Sequence, residues 1–126
     1  MNLRTPLSQA RGLGAAKEGA SHWWHQRLTA LALVPLVLWF AFAVASIGHA
    51  DHATLTAWVG SPFVTVLLIL LIGSGCYHMQ LGMQVILEDY IHTEWLKLSS
   101  VIASNFASVL LAVIGIVSVL KISFAA

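Results

Sequence analysis

The sequence predicts an all-α membrane protein of three transmembrane helices, and three observations carry that prediction. First, 59% of its 126 residues are hydrophobic and only 9% are charged, against roughly 45–50% and about 25% in an ordinary soluble domain. The mean hydropathy is +0.86. A chain this short has too little interior to hide such an apolar excess, so most of its solvent is lipid or another protein. Second, the apolar residues gather into three stretches, each long enough at ~20 residues to cross a ~30 Å hydrocarbon core. Third, every Lys, Arg, Asp and Glu lies outside those stretches. This composition excludes a soluble enzyme and a disordered tail. A formal net charge of +1 with no basic run excludes a nucleic-acid binder. The single cysteine, Cys76, leaves neither a disulfide framework nor a cysteine-based zinc site.

Residues 1–20 are polar, rich in Gly and Ala and without periodicity, and read as a loosely ordered arm. Residues 21–126 read as one three-helix anchor. Its first span runs from about Leu28 to Ile47, its second from about Pro62 to Leu87 and its third from about Ser99 to Leu120. Backbone groups in lipid must be satisfied within the segment, so each span is expected to be an α-helix. Ala43-Val44-Ala45 offers the small residues of a signal-peptide cleavage site, and the basic, Ser-containing N-terminus has the look of an import sequence. The first apolar run is longer than the ~7–15 residues of a signal peptide, and a long polar leader precedes it. With Met1 heading the chain, this segment is expected to be retained.

Basic residues set the expected orientation. Arg4, Arg11, Lys17 and Arg27 precede the first span and Lys97 lies between the second and third, whereas Gly48–Ser61 has no Lys or Arg. The N-terminus and the Glu88–Leu98 loop are therefore expected on the cytoplasmic side. Trp23, Trp24, Trp58 and Trp95 fall near span ends, as an interfacial belt requires. His49, Asp51 and His52 sit in the opposite connection, which reads as a solvated loop rather than a metal site.

One ionisable side chain lies well inside a span. His78, in Cys76-Tyr77-His78-Met79-Gln80-Leu81-Gly82-Met83, is a functional candidate because burying it costs free energy unless a partner compensates. It reads either as a neutral histidine hydrogen-bonded to a neighbouring helix or as a ligand of a metal such as haem iron. Gly75, His78, Gly82, Val85 and Asp89 recur every three or four residues and share one helix face. The two glycines open a flat shelf beside the imidazole, which favours the haem reading. Met79 and Met83 read as core fillers that are chemically able to bind iron.

At the expected cytoplasmic end of this helix, Asp89 and Tyr90 lie roughly 16–18 Å along the axis from His78 at 1.5 Å per residue. A phenol there can donate a hydrogen bond to a carbonyl head group, and a neighbouring carboxylate can relay protons to it. Both residues are equally at home as ordinary interfacial side chains. Arg27, in Ser21-His22-Trp23-Trp24-His25-Gln26-Arg27, is expected at the same depth as Asp89 and Tyr90. There it either pairs with a propionate or quinone carbonyl or serves as an orientation-setting charge with a snorkelling stem.

On these residues the sequence resembles the hydrophobic membrane anchor subunits of succinate dehydrogenase (succinate:quinone oxidoreductase, respiratory complex II), of the D-subunit type. The motif runs from His78 through Gly82 to the Asp89-Tyr90 pair, and the Arg27 segment and three-span layout agree with it. The resemblance implies that His78 is one axial ligand of a haem b whose second histidine comes from a partner cytochrome b anchor subunit. It implies that Tyr90, with Asp89, binds ubiquinone, and that Arg27 lies near the haem propionates or the quinone pocket. It further implies an iron–sulfur subunit and a flavoprotein subunit docked on the cytoplasmic face of a bacterial inner membrane, with no activity from this chain alone. Alternatives are a fumarate reductase anchor, a non-catalytic three-span scaffold in which His78 only joins helices, and a small transporter using His78 and Asp89 as a proton path.

Overall fold

The computed structural model describes residues 5–7 and 16–125, and among these residues it contains helices and no strand. Four helices follow in order: α1 (Ala16–Ile47), α2 (His52–Gly60), α3 (Pro62–Tyr90) and α4 (Glu94–Ala125). Three of them, α1, α3 and α4, are long and apolar enough to cross a membrane. The arm expected over residues 1–20 lies largely outside the described residues, although residues 16–20 already belong to α1.

The helices overrun the apolar spans because local chemistry, not hydropathy, stops them. Beyond Ile47 the Gly48 N–H closes the last turn on the Val44 carbonyl at 2.7 Å. A Cβ at Gly48 would lie 2.7 Å from that same oxygen, so a larger residue would force the turn apart. Pro62 stands at the first turn of α3, where its missing N–H has no intrahelical partner in any case. Within α1, Pro35 is tolerated as it commonly is in membrane helices.

The connection from Gly48 to Ser61, expected as a solvated loop, is mostly the short helix α2. Asp51 caps it by accepting a hydrogen bond from the Thr54 N–H at 3.0 Å. Hydrogen bonding from Thr54, through its side chain and its backbone, holds the Asp51 carboxyl below the usual carboxylate value.

Helix α3 is the centre of the bundle, with α1 and α4 both packed on it and α2 laid against α3 and α4. The core sits at the α2 end, where Val64, Leu68 and Val119 are buried among Trp39, Trp58, Val59, Ile69 and Ile72. Trp39 of α1 stacks on Trp58 of α2, with centroids 6.0 Å apart and planes 21° from parallel. The buried Thr65 hydroxyl lies 2.8 Å from the Val59 carbonyl, 2.9 Å from that of Ser61 and 3.3 Å from Ser123 Oγ. It thereby ties α2, α3 and α4 together. At Gly115 of α4 the Ile72 side chain of α3 packs directly on the backbone, and a Cβ there would meet its Cγ2 at 3.0 Å.

Packing thins towards the opposite end, where Leu81 is the one further buried apolar side chain among the described residues. Leu31, Val34, Leu38 and Phe42 of α1 and Phe106, Leu110, Val113 and Val117 of α4 are exposed. Such continuous apolar faces belong against lipid or another subunit.

Candidate functional site

The half-buried His78 points across the α1–α3 seam. Its Nδ1 lies 2.9 Å from Thr29 Oγ1. That oxygen is also 2.8 Å from the His25 carbonyl and 3.0 Å from the Gln26 carbonyl. Carbonyls only accept, so with the threonine proton directed at one of them the oxygen accepts from Nδ1–H and Nε2 keeps its lone pair, the form in which an imidazole binds a metal; with the proton directed at Nδ1, the imidazole takes the other tautomer. A residue that merely joined two helices would satisfy the same bond, and both readings of His78 find their partner in Thr29.

Helices α1 and α3 run antiparallel here, with Gly75 opposite Leu33 and Gly82 opposite Gln26. A Cβ at either glycine would rest in ordinary contact, at 3.9 Å and 3.7 Å respectively. The glycines are therefore not required for the helices to meet; what Gly82 supplies is open space. It floors a groove of about 410 Å3 whose walls are Gly19, His22, Trp23, Gln26, Arg27 and Val85. Two polar atoms at this seam, His22 Nε2 and Gln26 Oε1, are buried without a hydrogen-bond partner. A buried polar atom left unpaired costs about 1–3 kcal/mol, so this is a place where a polar ligand is wanted. Sequence reasoning left His22 and Gln26 aside. Their spacing of four, one helix face ahead of an apolar span, was the available signal.

Arg27 lines the same groove, and its guanidinium carbon sits 5.3 Å from the centre of the Trp23 ring. The expectation that Arg27 shares the depth of Asp89 and Tyr90 is not met. The helix register sets Gln26 beside Gly82, and Asp89 lies another ~10 Å along α3. No ion pair joins Arg27 to Asp89; among the described residues the ion pair present is Lys97–Glu94, at 3.1 Å. Asp89 and Tyr90 end α3, both exposed, with Tyr90 79% accessible. Neither makes a hydrogen bond within the described residues.

Met79 and Met83 face away from α1 and line a separate groove between α3 and α4. On this geometry neither shares the His78 seam. Tyr77 Oη lies 3.1 Å from His25 Nδ1, and Gln80 Nε2 donates to Asn105 Oδ1 at 3.1 Å, adding polar ties from α3 to both neighbours. His49, Asp51 and His52 form no metal cluster; among the described residues no three His, Cys, Asp or Glu side chains gather to hold an ion.

Fold and site together define a three-helix integral membrane protein with an open groove at the α1–α3 seam, beside two buried polar atoms that its own helices leave unpaired. The family model described as the succinate dehydrogenase/fumarate reductase transmembrane subunit matches residues 1–119, and the chain belongs to that family. It is 33% identical over 118 residues to the succinate dehydrogenase hydrophobic membrane anchor subunit of Rickettsia bellii, covering 94% of each chain. It is 33% identical over 90 residues to the subunit of the same description from Paracoccus denitrificans, covering 71% of this chain and 70% of the relative. To the succinate dehydrogenase membrane anchor subunit of Reclinomonas americana it is 35% identical over 92 residues, covering 68% of this chain and 73% of the relative.

Proposed function

We propose that this chain is the hydrophobic membrane anchor subunit of a succinate:quinone oxidoreductase in a bacterial cytoplasmic membrane, and that it supplies one axial ligand of a haem b and part of a quinone-reduction site. The observation that carries the reading is the His78–Thr29 hydrogen bond, which engages Nδ1 and, with Nδ1–H as the donor, leaves the Nε2 lone pair to ligate. The residues fit the group. His78 would hold the iron together with a histidine of the partner cytochrome b subunit. Arg27 and the orphaned His22 Nε2 lie in the groove that opens one turn beyond His78, where a propionate carboxylate would satisfy both. The haem, when bound, supplies a one-electron relay within the membrane.

Tyr90 and Asp89 serve the quinone. The Tyr90 hydroxyl, exposed at the end of α3, donates a hydrogen bond to a ubiquinone carbonyl and orients the head group. The exposed Asp89 carboxylate beside it exchanges protons with water and replenishes those consumed as the quinone is reduced. Electrons come from the iron–sulfur and flavoprotein subunits, which carry out succinate oxidation, so this chain has no turnover by itself. The relatives are described as succinate dehydrogenase subunits, which favours succinate oxidation over fumarate reduction.

The test is a dithionite-reduced minus oxidised spectrum of the purified complex, with co-purifying subunits identified by mass. An α-band near ~560 nm, typical of a bis-histidine b-type haem, together with flavin and iron–sulfur partners, is the expected result. Absence of both would reduce His78 to a helix-joining residue and leave a non-catalytic scaffold.

A further inference from the structure

The groove between α3 and α4 lies on the face of α3 turned from the haem seam and has a volume of about 380 Å3. Met79, Met83 and Leu87 form its α3 wall, and Ser100, Ala103, Ser104, Ala107 and Ser108 its α4 wall. Tyr90 follows Leu87 by three residues, Met83 by seven and Met79 by eleven, so it stands on the same helix face, at the mouth of the groove. From Leu87 to Met79 the groove runs ~12 Å into the membrane. Its volume holds roughly a dozen water-sized groups at ~30 Å3 each, enough for the first isoprene units of a tail. The methionine walls, 44% and 42% exposed, are open to the membrane and adaptable in shape.

A second observation concerns hydroxyls. Ser46, Ser74 and Ser118 each donate to the carbonyl four residues back on their own helix. Ser100, Ser104 and Ser108, spaced by four along the groove, make no hydrogen bond within the described residues. Ser108 does so although it is only 5% exposed. A saturated acyl chain offers these hydroxyls nothing, whereas an unsaturated tail presents a weak π acceptor in every isoprene unit.

We infer that this groove is the subsite for the prenyl tail of the quinone whose head group meets Tyr90. The inference rests on the reading of Tyr90 given above and deepens it: Tyr90 fixes the head, and the Met79–Leu87 wall with the Ser100–Ser108 wall guides the tail. Filling the groove should therefore penalise tailed substrates alone.

The experiment uses the assembled complex in membranes, with Ala103→Leu and Ala107→Leu. Two quinones of identical head group are compared, one with a prenyl tail of several units and one without a tail, alongside succinate reduction of a soluble dye. The expected result is a KM for the tailed quinone raised roughly tenfold, as for loss of a few buried methylenes. KM for the tail-less quinone and the dye activity should stay within about twofold. Equal changes for both quinones, or none for either, would overturn the subsite. A wild-type complex that oxidises succinate with dye yet reduces neither quinone would instead overturn the Tyr90 reading, and the subsite with it. Should both variants fail to assemble, photolabelling of wild-type complex with a diazirine-bearing prenyl quinone decides the matter. Labelled peptides carrying Met79, Met83, Ala103 or Ala107 support the subsite. Labelling confined elsewhere indicates that a partner helix fills the groove, and overturns it.

Discussion

At the α2 end of the bundle, Val64, Leu68 and Val119 are buried together, Trp39 stacks on Trp58, and the Thr65 hydroxyl has acceptors on two neighbouring segments. At the Arg27 end, His22 Nε2 and Gln26 Oε1 are buried without partners, Gly82 leaves space unfilled, and Asp89 and Tyr90 stand exposed. One end closes on itself; the other stays open. On the proposed reading, the difference separates stability from function along the same helices. The chain keeps its fold with contacts at one end, and so leaves unsatisfied groups at the other, where a ligand and a second subunit would satisfy them.

Matched truncations should expose this asymmetry first. Leu68→Ala removes one of the few buried side chains and is expected to destabilise the chain by about 2–4 kcal/mol. Val85→Ala, at the rim of the open groove, should cost no more than about 0.5 kcal/mol. Denaturant titrations of the two variants in one detergent check both; equal losses would erase the distinction between the ends.

Matched hydroxyl removals sharpen it. Thr29→Val keeps the shape of the α1–α3 seam but deprives His78 Nδ1 of its hydrogen-bond partner. On the proposed reading, affinity for haem falls by roughly 10–100-fold, seen as haem per complex after dilution in detergent, while the chain stays folded. Thr65→Val, at the packed end, should reverse the pattern. It should lower stability by about 1 kcal/mol and leave haem content unchanged.

The smallest effect belongs to the α2 cap. The Asp51 carboxyl titrates lower in the folded chain than in the unfolded one. Its contribution is therefore fully present above the ordinary carboxylate value and disappears as pH falls through the lowered one. Exchange protection of the Thr54 amide should decline in that acidic window in the wild type, and Asp51→Asn should flatten the dependence. A wild-type profile with no acidic decline would show that the cap does not form.

Much of this arrangement is legible in the residues themselves. Hydropathy marks the three spans, and a histidine inside one of them with glycines three before and four after marks the seam. The helix α2 is harder to read, since nine residues show too little periodicity to stand out from a loop. The visible signs are Asp51 three residues before Thr54 and Pro62 just beyond the helix, an N-cap and a stop. The depth of Arg27 and the isolation of His22 and Gln26 depend on the register between α1 and α3. Nothing within either helix sets that register. Met79 illustrates the same limit. It adjoins His78 in sequence, yet one residue turns it about 100° around the helix and into a different groove.

The central claim is that His78 Nε2 binds iron in a site this chain only half provides. Its most direct test is the reduced-minus-oxidised spectrum of the intact complex carrying His78→Ala, recorded before and after addition of imidazole. The account predicts that the b-type α-band is lost or shifted in the variant and recovers as imidazole occupies the vacated space. A spectrum identical to wild type, at full haem content and without imidazole, would contradict it.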